Sequence, residues 1–130
     1  LNSERKFKLK RIDGHFGIVK LGPARPVPAW AMEPSFCSVT RTETELTIVC
    51  PEKAIPADVE YEGSWQCIRV EGAFDFQTVG VIAPLSGVLA RNGISIYVIS
   101  SYVTDYILIR RQYIEKAVRA LEREGHVFLS

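Results

Sequence analysis

The sequence predicts an α+β fold, and three observations carry that prediction. Between residues 79 and 109 an apolar period of three to four residues gives way, after Asn92-Gly93, to a period of two. A second helical stripe, Ile114, Ala117, Val118 and Leu121, follows a strand-like run, Tyr106 to Ile109. Short alternating segments, Trp65 to Glu71 and His126 to Leu129, bracket these elements on either side. The resulting order is β(65–71) α(79–91) β(94–100) β(105–109) α(111–124) β(126–129). That is the ferredoxin-like βαββαβ order.

The elements of this second half have local causes. Val81, Ile82, Leu85, Val88 and Leu89 give the helix over 79–91 its buried face. Asn92-Gly93 stops it, because Gly at C′ can take the left-handed conformation that closes a helix. Pro84 has no N–H for the carbonyl of residue 80. Either the regular helix begins nearer Ala83, with Pro84 at its first position, or an early turn is loosened. Beyond the stop, Ile94, Ile96 and Val98 point one way from a strand, and Ser95, Tyr97 and Ile99 the other. Ser100 to Asp105 is the polar connection of a hairpin. In the last helix Glu115 and Arg119 form an i,i+4 pair, and Gly125 supplies the C′ residue.

The first half is less regular. Lys6 to Ile12 and Phe16 to Leu21 alternate on either side of Asp13-Gly14, a type I′ signal that predicts a β-hairpin. The proline-rich run from Gly22 to Pro28 is a loop, and Ala29 to Met32 fits one helical turn behind Pro28. Ser35–Arg41 and Leu46–Cys50 predict a second hairpin around Thr42-Glu43-Thr44-Glu45. Residues 51–64 form a link. This half looks like a worn copy of the second, so two tandem halves are expected, at 1–62 and 63–130, the first degenerate.

Composition narrows the function. The 130 residues can bury a core without staples. Val79 to Ala90, the longest apolar run, is too short to span a bilayer, and the charged first residues lead to the expectation of no secretory segment. No membrane partner and a cytoplasmic location are expected. Cys37, Cys50 and Cys67 share no C-x-x-C spacing, so reduced, buried thiols are expected rather than disulfides or zinc. His15 and His126 have no acidic or cysteine cluster near them in sequence; surface or edge positions and no metal are expected. Residues 1–25 carry seven Lys/Arg against two acids, but Lys6-Phe7-Lys8-Leu9-Lys10 alternates as a solvated strand face rather than a nucleic-acid patch. No nucleic acid is expected. No nucleophile elbow, phosphate loop or His-Glu pattern occurs, so no enzyme and no cofactor are expected.

What remains is a small-ligand site. The loop from Gly72 to Thr78 delivers the chain to a helix N-terminus, where free N–H groups favour a carboxylate. Gly80 permits close approach. Opposite, Ser100, Ser101, Tyr102, Thr104 and Asp105 offer hydroxyls, a phenol and a carboxylate. An α-amino acid needs an anion site, ammonium acceptors and a side-chain pocket. The plainer reading makes Thr104 and Asp105 turn residues and Gly80 a packing residue.

GVIAPLSGVLARNGISIYVISSYVTDYILI resembles the ACT domain, the amino-acid-sensing module of aspartate kinases and related enzymes. The shared features are a glycine at the helix start, an L-x-x-L-A-x-x-x-I helix, Asn-Gly-Ile-Ser, a strand and a hairpin. PSFCSVTRTETELTIVCPE and VEGAFDF are similar to segments of small stand-alone bacterial proteins with two tandem ACT-like halves, and the second half is similar to the ACT repeats of the CASTOR arginine sensors. The resemblance implies an ACT fold and a regulatory amino-acid site at an interface between ACT units. It implies that Gly80 and Val81 present backbone to the ligand and that Ser101 and Tyr102 line the hairpin side. Asp105 would match the acid that meets a basic side chain, whereas Thr78 and Val79 stand where those sensors carry another acid. The apolar outward face of Ser95, Tyr97 and Ile99 adds an expectation of assembly, with a homodimer through sheet or helix faces as one form. An amino-acid sensor is the leading expectation, and an interaction module with a degenerate site is its rival.

Overall fold

A computed structural model describes residues 6–72 and 80–130. The chain forms two compact units: the segment ending at Asp13 together with Gln66–Ser130, and Gly14–Trp65. The second boundary falls between Trp65 and Gln66. The N-terminal strand segment, expected in the first half, groups with the C-terminal unit.

The larger unit contains the first part of β1 (Lys8–Leu21), most of β4 (Glu62–Val70), α1 (Ile82–Arg91), β5 (Tyr97–Ser100), β6 (Asp105–Arg110), α2 (Ile114–Arg123) and β7 (Val127–Leu129). Its strands run in the order β7-β1-β4-β6-β5. In a plain βαββαβ sheet the last strand would lie beside the first. Here β1 lies between them, parallel to β7 with Lys8, Leu9 and Lys10 opposite Val127, Phe128 and Leu129. Glu71 N–H donates to Lys8 C=O at 2.8 Å, extending the contact along β4. Leu9, Ile68, Val70, Ile107 and Ile109 from the strands meet Leu85, Leu89, Ala117 and Leu121 from the helices in one core. The period-two residues face the period-3.6 residues, and burying both faces is what holds this unit together.

Both helices end as the sequence predicts. Gly93 (φ +70°) donates to Ala90 C=O, and Ile94 N–H reaches back to Leu89 C=O. Gly125 and His126 repeat the pattern onto Glu122 and Leu121. These are Schellman closures, which pair carbonyls that a helix end otherwise leaves orphaned. The start of α1 differs from the expected helix over 79–91. It begins at Ile82, so Pro84 sits in the first turn, where a missing N–H breaks no intrahelical bond. The strand expected over 94–100 is shorter, and β5 is an edge strand. Ile94 is buried and Ile96 packs on the core, but they do so as the chain leaves the helix.

The smaller unit contains the rest of β1, β2 (Ser38–Arg41) and β3 (Leu46–Pro51). β3 is antiparallel to both, pairing Phe16–Leu21 with Pro51–Leu46 on one side and Ser38–Arg41 with Val49–Leu46 on the other. The expected β2–β3 hairpin forms, closed by Thr42, whose N–H donates to Glu45 C=O at 2.9 Å. The Thr42 hydroxyl accepts from the Thr44 and Glu45 N–H groups. The hairpin expected at Asp13-Gly14 does not form. Gly14 takes a φ of +91°, yet the chain runs on as one 14-residue strand. The turn chemistry is present, but each arm has a longer-range partner, β7 for one and β3 for the other. Ladder pairing over many residues outweighs one favourable turn. Within Gly14–Trp65 no α-helix forms over the core of Val19, Leu46, Ile48 and Cys50; two 3-10 turns, Ala29–Ala31 and Glu52–Ala54, bring Ala31 and Ile55 against it.

Candidate functional site

The β5–β6 turn is built by its own hydroxyls. Ser101 Oγ accepts from the N–H groups of Val103 (3.3 Å) and Thr104 (3.2 Å) and donates to Thr104 C=O at 3.0 Å. Thr104, 7% exposed, donates its hydroxyl to Val70 C=O at 2.6 Å and ties the turn to the end of β4. Ser100 Oγ donates to Asp105 Oδ1 at 2.5 Å. Tyr102 and Val103 are left at the tip, 76% and 55% exposed.

Beside this turn lies a pocket of about 380 Å³, lined by Arg69, Val70, Glu71, Gly72, Ser101, Val103, Thr104 and Tyr106. Arg69 and Glu71 are two apart at the end of β4 and share a side of the chain there. Arg69 Nε donates to Glu71 Oε2 at 2.5 Å. That bond raises the Arg69 guanidinium above its ordinary pKa, with Tyr106 acting in the same direction against partial desolvation. Both charged groups are part-exposed, at 35% and 23%, so a ligand could reach them. A cation, a carboxylate and hydroxyls around one hollow are the groups that an amino acid's carboxylate and ammonium require.

Of the nine positions singled out in the sequence, Ser101 and Thr104 line this pocket. Ser100, Tyr102 and Asp105 belong to the same turn but lie outside the lining. Gly80, with φ +74°, and Val81, whose side chain is in the core, are also outside it. Val81 caps α1 without a side-chain hydrogen bond. Thr78 and Val79 lie outside the described residues. Sequence reasoning missed Arg69, Glu71 and Tyr106. The sequence showed an arginine inside an alternating strand, but its place beside the strand that begins Asp105-Tyr106 comes only from the fold.

His126 corrects another expectation. It lies next to the edge strand β7 but not at the surface: it is 4% exposed, stacked on Phe7 at 5.8 Å, with Nδ1 accepting the Phe7 N–H at 3.1 Å. Burial, with Lys6 nearby, lowers its pKa. Among the described residues no group of three or more His, Cys, Asp or Glu is placed to hold a metal ion. No helix among them is long and apolar enough to cross a membrane.

A sequence model of the ACT domain matches residues 60–123, and a second model, described as an N-terminal domain, matches residues 14–58. A search of curated proteins finds no match. Among solved structures, protein Atu0741 from Agobacterium tumefaciens is 38% identical, with a TM-score of 0.90 over 96% of this chain and 93% of that one. A protein of unknown function from Vibrio cholerae, described as a possible transport protein, is 20% identical, with a TM-score of 0.72 over 96% and 93% of the two chains. The regulatory subunit of aspartate kinase from Thermus thermophilus, in its ligand-free form, is 18% identical, with a TM-score of 0.57 over 86% and 93%. The last two share the fold. The chain belongs to the same family as the Agobacterium tumefaciens protein and carries, at residues 60–123, an ACT domain.

Proposed function

We propose that this chain is a non-catalytic regulatory protein whose ACT domain binds an amino acid beside the β5–β6 turn. The pocket at the end of β4 and the start of β6 carries the reading, because it gathers opposite charges and hydroxyls inside the segment matched as an ACT domain. In this reading Arg69 takes the carboxylate and Glu71 the ammonium, exchanging their mutual ion pair for two ligand pairs. The fold shared with an aspartate kinase regulatory subunit supports a regulatory role over an enzymatic one. Gly80, Val81 and Asp105 form a second wall, supplied when another ACT unit docks as in a homodimer. The Gly14–Trp65 unit is a degenerate ACT-like half.

Thermal unfolding with each of the twenty amino acids tests the proposal. A specific ligand at a hundred times its Kd adds about 2.7 kcal/mol and raises the melting temperature. A cooperatively folded protein that none of them shifts overturns it. Arg69→Met is expected to abolish the shift while leaving the unliganded melting temperature nearly unchanged. Asp105→Ala weakens only an amino acid with a cationic side chain; equal loss for all ligands would remove Asp105 from side-chain recognition.

A further inference from the structure

Cys37 and Cys50 lie closer than their separation in sequence suggests. The β2–β3 register runs from Arg41 opposite Leu46 to Ser38 opposite Val49, and one step further places Cys37 opposite Cys50. Contact beyond β2 shows that the chain keeps to this path. Phe36 meets Phe16 edge-on, ring centroids 5.3 Å apart, and Phe16 is the β1 partner of Pro51. Cys37 is therefore bracketed between two contacts that follow the register. Directly opposite residues of an antiparallel pair project to the same side.

The phase of the ladder matters as much as its register. The Thr42 N–H to Glu45 C=O bond makes Thr42/Glu45 a hydrogen-bonded pair. Such pairs alternate with non-hydrogen-bonded ones, so Thr40/Thr47 and Ser38/Val49 are of the first kind and Cys37/Cys50 of the second. Non-hydrogen-bonded partners have Cα atoms about 4.5 Å apart, within the range that a disulfide spans. Cys37 lies outside the regular strand, so its backbone is free to make the remaining adjustment.

We propose that Cys37 and Cys50 form a reversible, oxidation-dependent disulfide that staples β2 to β3 in the smaller unit. Both are free thiols in this structure, with Cys37 half-buried and Cys50 buried. Exposure assigns the order of events. Burial, with Cys37 and Glu33 adding to it, pushes the Cys50 thiol up to about 11, so Cys50 is protonated and unreactive on its own. Cys37 reacts first with a hydroperoxide. Its thiolate takes the terminal oxygen as the O–O bond breaks, giving a sulfenic acid and, from hydrogen peroxide, a hydroxide that takes up a proton to leave as water. Cys50 sulfur then attacks the Cys37 sulfur. The S–O bond breaks, the Cys50 proton leaves with the departing hydroxide as a second water, and the disulfide closes. A dithiol reductant reverses it through a mixed disulfide. Cys67 belongs to the other unit and takes no part.

The intact protein treated with hydrogen peroxide, quenched with an alkylating agent and denatured tests this. The expected product has lost two mass units, retains one alkylatable thiol of three and yields a linked Cys37–Cys50 peptide. Dithiothreitol restores all three thiols, and the oxidised form melts at a higher temperature. Cys67→Ser still forms the link, whereas Cys37→Ser does not and shows no peroxide-dependent rise. Three free thiols after peroxide, a link involving Cys67, or Cys37 carried to the sulfinic acid without a link would each overturn the proposal.

Discussion

The two units solve the problem of covering a sheet in different ways. In the larger unit, two ten-residue helices lay apolar stripes over β1, β4 and β6 and fill the space with large side chains. In the smaller unit the side chains of Ile55, just past the 3-10 turn Glu52–Ala54, and of Tyr61 come so close to β1 that no ordinary room is left for a Cβ at Gly17. A Cβ on Gly17 would lie 2.5 Å from Ile55 Cδ1 and 2.8 Å from Tyr61 Cδ2. A helix holds the layers apart by about 8–10 Å and needs volume between them. A short turn has little apolar surface and must come near. One unit is therefore sensitive to atoms removed, the other to atoms added.

The largest expected effect follows from the first half of that contrast. Leu89→Ala or Leu121→Ala, both fully buried under the helices, should cost about 2–5 kcal/mol in denaturant unfolding. Gly17→Val should destabilise by ~1–3 kcal/mol through overpacking against Ile55 and Tyr61. A Gly17→Val protein as stable as the parent would show that the turn gives way, and the contrast would fail. Gly93→Ala forces a residue with Cβ into a φ of +70° and should lose about 1 kcal/mol by the same measurement.

Titration sharpens the comparison further. His126 has a lowered pKa in the folded larger unit, so the unfolded chain binds its proton first as the pH falls. Its contribution to stability is complete above about 6.5, the ordinary value, and is lost as pH falls from there through the depressed folded value. His126→Gln should flatten that part of a stability–pH curve. The buried thiols act at the other end. Cys50 and Cys67 are pushed up to about 11 and about 12, so their contributions are full below 9.0 and disappear as pH rises through the folded values. The smallest effect expected is at Arg11–Glu115, 41% and 66% exposed, where Glu115→Gln should leave the melting temperature almost unchanged.

Much of the larger unit was legible because its signals are local and agree. The stop at Asn92-Gly93, the stripe of α2 and Gly125 each act over a helical turn or two. The failures share a cause. Asp13-Gly14 is a sound turn sequence, but its arms pair with β3 and β7, far away along the chain. The Pro84 side of α1 left two possibilities open in sequence, and the helix takes the later start: Ile82, beside Ala83, is its first residue, with Pro84 in the first turn. At the candidate site the turn hydroxyls of Ser101 and Thr104 could be found by residue type. Arg69 and Glu71 could not, because only the pairing of β4 beside β6 shows what a strand-end arginine faces.

The parallel pairing of β1 with β7 also sets an order in time. Phe7 and His126, joined by a backbone-to-ring hydrogen bond, are 119 positions apart. A ribosome releases the first of these segments long before it makes the second. Until residues 127–129 emerge, the Lys8–Lys10 edge has no β7 to bind, and its alternating lysines guard it against other strands. The smaller unit, by contrast, has β2, β3 and its part of β1 as soon as Pro51 is made, and is complete at Trp65. During synthesis it can close first and hold the waiting strand by its C-terminal half, shortening the search that joins Lys8–Lys10 to residues 127–129.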